Sequence, residues 1–285
     1  MTKAGEIKAR LRAAWGGAAE AWERRFDWYA RTFAPMMTWC CDRAALAPGQ
    51  RVLDVACGTG LPALVASRRV APGGRVTGVD LAPQMLAAAG RRARAHGIDN
   101  VEFLEMDAER LHFPDASFDA VTCATGLMFF PDAVGALKEM RRVLRQGGRL
   151  AVAVWDDPAK SSFLTLAGLA VGRYFPPTPP DPKTPGAFRF SKAADLEAVI
   201  AEAGFSEVSL ESVGMLIEYE SVATYWEDFT DMAAGIKEKV GALAAHDRAE
   251  LERLVAEAAE PHVVNGRLRL TATPLCASAV NRPGS

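Results

Sequence analysis

The 285-residue sequence lacks a surplus of positive charge: 33 Lys and Arg stand against 35 Asp and Glu, a net charge of −2. Nucleic-acid backbones are held by clustered Lys and Arg, so this balance excludes an evident nucleic-acid footprint. Long apolar runs are missing too. The longest charge-free stretches, Ala120–Pro131 and Ser161–Gly172, fall short of the roughly 20 residues that a membrane helix needs, so no membrane span is expected. Cysteine is scarce and has no pairing pattern. Cys40, Cys41, Cys57, Cys123 and Cys276 form an odd set without a CxxC pair, and adjacent cysteines suit neither an ordinary disulfide nor a zinc site. The charged start (Lys3, Glu6, Lys8) has no apolar leader segment, so a reducing, cytoplasmic setting is expected. Gly and Pro follow no period and no internal repeat stands out, which sets aside fibrous and solenoid classes.

What is present is a chain long enough to bury one large core, with 49% hydrophobic residues. Up to about Ala47, aromatic residues such as Trp15, Trp22, Phe26 and Tyr29 recur at spacings of three, four and seven, the pattern of amphipathic helix. After Pro48-Gly49, short Val- and Leu-rich runs alternate with helical patterns. The runs are Arg51–Val55, Arg75–Val79, Val101–Leu104, Phe118–Ala124 and Leu150–Trp155. Pro62 and Pro83 fall in first turns of helices, and Asp132 caps a helix that runs to Gln146 and stops at Gly147-Gly148. Strand and helix repeated with short connections require parallel pairing, with helices on both faces. The expected class is a doubly wound, Rossmann-like α/β sheet.

Beyond Trp155 the pattern changes. An apolar helix over Ser161–Gly172 precedes a Pro-rich connector, Phe175–Pro185, and Ser191 is expected to cap the next helix. Val208–Leu210 and Gly214–Tyr219 read as strand, Ser221 to Pro261 as helix, and Leu268–Val280 as one last strand.

The sharpest local signal is Val52-Leu-Asp-Val-Ala-Cys-Gly-Thr-Gly60, a strand entering a tight glycine turn and then a helix. Gly58 and Gly60 let the backbone approach a ligand, and the helix start offers unpaired N–H groups. Asp54 stands inside an otherwise apolar strand, where a bare carboxylate is costly to bury. It would be tolerated if it accepted turn N–H groups or answered a cationic ligand through water. Asp80 closes the second strand, Asp107 the third, and Thr125 follows the fourth. Each alone reads as a cap or a solvated loop residue. Together they sit at successive carboxyl ends, which in an open α/β sheet converge on one crevice.

These stretches make the chain similar to the class I S-adenosylmethionine-dependent methyltransferases, in particular to the ubiquinone/menaquinone C-methyltransferase branch. The matching segments are VLDVACGTG at Val52–Gly60, VTGVDLAPQML at Val76–Leu86, DAERLHFPDASFDAV at Asp107–Val121 and ALKEMRRVLRQGGRLAVAVW at Ala136–Trp155. The resemblance implies a seven-stranded sheet with the last strand antiparallel and S-adenosylmethionine as cofactor. Asp54 and the turn Ala56, Cys57, Gly58, Thr59 and Gly60 would hold its methionine part, and Asp80 its ribose hydroxyls. Leu81 and Met85 would lie on the adenine, Asp107 and Ala108 at its amino edge, and Ala124 and Thr125 near the sulfonium. Residues 1–47 would form a helical cap, 48–220 and 262–285 the core, and 221–261 a helical lid insertion.

The implied activity is methyl transfer to carbon, oxygen or nitrogen of a small, largely apolar or aromatic molecule. Trp22, Tyr29 and Phe129 are the candidate acceptor contacts, and no metal is expected. His262 is the first residue to test as a base; Glu227 and Asp228 are alternatives on what reads as a solvated helix face. A nicotinamide-dependent Rossmann oxidoreductase stays in view because Gly58-Thr-Gly-Leu-Pro-Ala63 fits GxGxxA. Against it, Asp54 would oppose a diphosphate. A non-catalytic S-adenosylmethionine-binding protein is the third reading. The expected partner is a small-molecule acceptor, and a homodimer stays open.

Overall fold

A computed structural model describes residues 2–176 and 184–282. Most of the Pro-rich connector therefore lies outside the described residues. Three helices come first: α1 (Lys3–Arg24), α2 (Phe26–Thr32) and α3 (Ala34–Arg43). The alternation then begins with β1 (Arg51–Val55), α4 (Leu61–Val70), β2 (Arg75–Asp80), α5 (Pro83–Ala95) and β3 (Val101–Glu105). It continues through β4 (Phe118–Ala124), α6 (Ala133–Val143) and β5 (Leu144–Trp155). Pro62 and Pro83 do occupy first turns, where a missing N–H is harmless.

The second half brings α7 (Ser162–Tyr174), α8 (Ala193–Glu202), β6 (Ser206–Ser212) and β7 (Met215–Tyr219). After these come α9 (Val222–Met232), α10 (Ile236–Gly241) and α11 (Ala245–Ala259), then β8 (Val263–Val264), β9 (Arg267–Ala272) and β10 (Pro274–Val280).

Seven strands form one sheet in the order β3-β2-β1-β4-β5-β10-β6. The first five in chain order pair in parallel, and β10 runs antiparallel to both its neighbours. This is the expected doubly wound sheet. Its central strands are covered on both faces, which is why β4 and β10 read as near-continuous apolar runs rather than as alternation. Chain order reverses between β1 and β4, and ligand crevices of this architecture open at such a point.

Four sequence expectations need correction. Leu268–Val280 is two strands in two sheets. β9 joins β7 and β8 in a separate three-stranded antiparallel sheet, and the chain changes sheet at Thr273, whose amide is taken by the Ser161 hydroxyl at 3.0 Å. The α6 helix stops at Val143, because Leu144 already pairs with Phe118 of β4; Gly147-Gly148 lies inside β5 and not at a helix end. Ser191 caps nothing: α8 begins after Lys192 without a side-chain cap. The stretch from Ser221 is three helices, broken where Gly235 takes a positive φ of 77°. Ser221 itself does cap α9, accepting from Thr224 N–H at 3.1 Å.

Asp54 is the fold's electrostatic oddity. It sits in β1 between Gly78 of β2 and Thr122 of β4, fully buried. The Thr122 hydroxyl donates to Oδ1 at 2.8 Å, while Oδ2 has no hydrogen bond of full geometry. Burial pushes the carboxyl from an ordinary 3.8 up to about 7, against the Thr122 hydroxyl and the Ala63 N–H, which pull it down. An acid with a raised native pKa favours folding while protonated. As pH climbs from about 4 to about 7, the unfolded chain ionises first and native stability falls. Three pKa units correspond to at most about 4 kcal/mol. Asp54→Asn cannot titrate, so the ligand-free variant should gain thermal stability over the native protein across that window and hold the gain above it. Parallel melting curves from pH 4 to 8 check this; a constant difference would contradict the raised value.

Candidate functional site

The carboxyl ends of β1, β2 and β4 open into one cavity of about 380 Å³, within the range of small-molecule sites. Its floor is the turn after β1. Ala56 and Gly58 there adopt positive φ of 56° and 55°, and Thr125 after β4 does the same at 59°. Left-handed geometry at an alanine and a β-branched threonine costs about 1–3 kcal/mol each and persists only where the surroundings enforce it. The enforcement is visible. Thr125 N–H is fixed by Ala153 O at 2.8 Å, and a Cβ on the following Gly126 would stand 2.5 Å from Ala56 Cβ. The turns after β1 and β4 thus touch, and only glycine fits between them.

Asp80 ties this floor to the next loop. One carboxylate oxygen accepts from Gly58 N–H at 2.9 Å and the other from Ala82 N–H at 2.9 Å. Burial raises its pKa, while the amides of Ala82, Gly58 and Leu81 oppose the rise. Asp107 follows β3, one oxygen taking Glu109 N–H at 3.0 Å and the other Lys8 Nζ at 2.6 Å.

The roof is helical. Lys8, Leu11, Arg12 and Trp15 of α1 line the cavity, and so does Trp22 one further pair of turns along. Lys8 bridges Asp107 at 2.6 Å and Glu109 at 2.5 Å, and Arg12 pairs with Glu105 at 2.6 Å. Burial works against the Lys8 ammonium, yet its bonds to Asp107 and Glu109 outweigh that and hold its pKa above the usual lysine value. Farther along the same helix, Trp22 Nε1 donates to Met232 O of α9 at 2.9 Å, and just past its end Arg25 Nε meets Asp228 Oδ1 at 2.6 Å. One helix therefore spans the cavity, pinned at one end to the loops after β3 and at the other to α9.

Away from the acids the walls are aromatic. Trp15 and Phe129 meet edge to face at 5.5 Å, Trp22 and Tyr29 at 4.8 Å, and Phe33 meets Trp155 at 6.1 Å. Such contacts are worth ~0.5–1.5 kcal/mol apiece beyond area burial.

Of the residues singled out in the sequence, Ala56, Cys57, Gly58, Thr59, Asp80, Leu81, Met85, Asp107, Ala108, Ala124 and Thr125 line the cavity, as do Trp22, Tyr29 and Phe129. Three do not. Asp54 is fully buried and does not line the cavity. Gly60 faces the other way, with Ala89 and Phe103 so close that a Cβ would sit 2.9 Å from Ala89 Cβ. His262 follows α11 in a short 3-10 turn and is not a lining residue; no histidine is, among the described residues. Asp228, read as solvent-facing, is buried and lines the cavity, whereas its neighbour Glu227 is exposed. Cys57 and Cys123 are buried packing thiols, with Cys123 pushed up to about 12 by burial and the Asp54 charge.

The reading missed Lys8 and Arg12. The signal was there: positions 8, 11, 12, 15 and 22 fall on one helical face, and that face mixes cations with tryptophan.

A family model for a methyltransferase domain matches residues 52–148, the stretch from β1 to β5 that forms the cavity floor. The demethylmenaquinone methyltransferase of Thermus thermophilus is 50% identical over 126 residues, 44% of this chain and 54% of that protein. The Staphylococcus aureus enzyme of the same name is 34% identical over 173 residues, 58% of this chain and 71% of that protein. The chain spans about half the length of several of the curated relatives it matches. Among solved structures, the YcgJ protein of Bacillus subtilis superposes with a TM-score of 0.59 at 24% identity, over 87% of this chain and 98% of that one, a likeness of fold. No helix among the described residues is long and apolar enough to cross a membrane. On these matches, the chain belongs to the class I S-adenosylmethionine-dependent methyltransferases, in the branch of the demethylmenaquinone and ubiquinone/menaquinone C-methyltransferases.

Proposed function

We propose that this chain is an S-adenosylmethionine-dependent methyltransferase, acting on carbon, oxygen or nitrogen of a small, largely apolar or aromatic molecule. The observation that carries the reading is the two-sided cavity: carboxylates at the ends of β2 and β3 open into the same chamber as a wall of aromatic rings. The acid side fits the cofactor. Asp80 is oriented by two backbone amides and keeps acceptor capacity on both oxygens, which suits a pair of ribose hydroxyls. Leu81 and Met85 offer an apolar face for the adenine, and Asp107 with Ala108 stands where its amino edge would lie. The turn from Ala56 to Thr59 would receive the methionine part, with Ala124 and Thr125 closing beside it. Asp54, beneath that turn and with one oxygen unpartnered, supplies a negative field that favours a positively charged amine above it.

When bound, this cofactor supplies a methyl group already activated on a sulfonium. The protein's task is then alignment and exclusion of water, and oriented proximity is worth ~7–11 kcal/mol. Trp22, Tyr29 and Phe129 would hold the acceptor against the cofactor side, and aromatic faces also attract a sulfonium charge. Residues 1–47 and 221–261 act as cover on the core of 48–220 and 262–285: α1 supplies Lys8 and Trp22 to the roof, and α9 supplies Asp228 and Met232. Five buried free thiols suit work in a reducing cytoplasm. A dinucleotide fits poorly, because the Gly58 amide that a phosphate would use already belongs to Asp80 and the buried Asp54 lies beneath.

Transfer of a labelled methyl group into metabolite extracts tests the activity; no incorporation despite cofactor binding would leave only the non-catalytic reading. Two substitutions test the residue roles. Asp80→Ala should weaken S-adenosylhomocysteine binding by roughly 10- to 100-fold, the size of one or two charge-assisted hydrogen bonds, by calorimetric titration. Unchanged affinity would remove Asp80 from the ribose. Lys8→Gln should speed S-adenosylhomocysteine release by up to about fivefold in stopped flow, since partly exposed ion pairs are worth about 1 kcal/mol or less. High salt should speed release from the native protein in the same direction, and an unaltered rate would mean that α1 does not cover the cofactor side.

A further inference from the structure

Gly16-Gly17 divides α1 into two halves that are fastened by different forces. From Lys3 to Trp15 no residue is buried. This half lines the cavity with Lys8, Leu11, Arg12 and Trp15. Its ion pairs, Lys8 with Asp107 and Glu109 and Arg12 with Glu105, all reach the end of β3 and the loop after it. The other half is anchored by packing. Ala18 and Ala19 are buried in one cluster with Ala82 and Met85 at the start of α5. Glu23 accepts twice from Arg91 of α5, at 2.9 and 2.6 Å, and Trp22 is bonded to Met232 O of α9.

Glycine in a helix interior weakens it relative to alanine, so a pair of glycines there calls for a reason. Packing does not supply one. A Cβ on Gly17 would meet nothing within 4 Å, and a Cβ on Gly16 would meet the far end of the Gln84 side chain, whose Oε1 would be 2.7 Å away and can move aside. Neither glycine takes a positive φ. What remains is backbone freedom, and paired small residues are among the places where long helices bend.

We infer that Gly16-Gly17 is a hinge on which residues 2–15 swing as a gate over the acid side of the cavity, while the half carrying Trp22 stays closed over the aromatic side. The Lys8 and Arg12 ion pairs are its latch. The cofactor thus enters and leaves through its own opening, and the acceptor side need not open with it. This inference rests on the methyltransferase reading for the identity of the molecule that passes; the hinge itself stands on the helix.

Spin-label distances in the full chain test it. The native cysteines are all buried, and Ala9, Glu20 and Asp99 are exposed, so labels on added cysteines report cleanly. Ala9→Cys with Asp99→Cys reads the gate, and Glu20→Cys with Asp99→Cys reads the anchored half. In the ligand-free protein the gate pair should show two distances, the longer gaining weight as salt rises, because screening loosens the latch. The anchored pair should show one distance throughout. Gly17→Ala should cut the weight of the longer distance about four- to fivefold, the scale of the glycine-to-alanine difference in a helix, and slow S-adenosylhomocysteine release in stopped flow by a similar factor. Simple fraying starts at Thr2 and would not respond to position 17. A single invariant gate distance, equal movement of both pairs, or a Gly17→Ala variant with native distances and native release would overturn the inference. Failure of S-adenosylhomocysteine to bind in calorimetry would sink the methyltransferase reading and leave the hinge to the ligand-free distances; binding by a protein with a rigid α1 would do the opposite.

Discussion

The Asp80 carboxylate joins two loops that the chain separates by more than twenty residues. By taking the Gly58 and Ala82 amides, it fixes the turn after β1 against the start of α5, at the wall of the cavity. That constraint dictates much around it. The turn can hold its left-handed geometry only because it is braced from the β2 side by Asp80 and from the β4 side by the packing of Ala56 on Gly126. Gly78 is required for a related reason: a Cβ there would stand 2.8 Å from the Phe103 ring that supports the turn from below. Rigid strands thus deliver polar groups to one crevice, and the strain is absorbed where the crevice is made.

Three buried or half-buried acids show how position sets role. Asp80 is satisfied by backbone amides and faces the cavity. Asp54 is fully buried, with the Thr122 hydroxyl as its one well-formed partner, and its carboxyl is lifted to about 7. Asp228 has a cation, Arg25, at 2.6 Å, yet burial still raises it. The Arg25 guanidinium is raised as well, by its bond to Asp228. The two shifts report different costs: the pair attracts, and the carboxylate is nevertheless desolvated. The sequence marked Asp54 as a carboxylate inside an apolar strand and Asp80 as an acid closing a strand, and it read Asp228 as part of a solvated helix face. Burial distinguishes them.

The part of the molecule legible in the sequence is the part built from local signals. From β1 to β5, glycine turns, first-turn prolines and apolar runs sit within a few residues of the structure they determine, and the doubly wound sheet follows from their order. The acid positions at Asp80 and Asp107 were legible for the same reason. The sheet of β7, β9 and β8 was not, since Met215 pairs with Ala272 across more than fifty residues and nothing near either strand announces the other. The break at Thr273 was hidden because an apolar run that changes sheet looks like one that continues. Asp54 was assigned to the ligand by the resemblance; the structure buries it fully, gives it the Thr122 hydroxyl as partner and does not bring it to the cavity lining, a burial that its place in the strand does not announce.

The roof shows the same limit from another side. The aromatic residues of α1 and α2 read correctly as an amphipathic face, yet that pattern does not say which surface the face will cover. The answer depends on Lys8 reaching loops about a hundred residues later and on Trp22 reaching α9 about two hundred later. Pinned in this way at both ends, α1 couples the acid side of the cavity to its aromatic side. One end of α1 is held by partly exposed ion pairs, which contribute little each and are screened by salt, and the other by a part-buried indole hydrogen bond that carries no net charge, so added salt acts first on the end over Asp107.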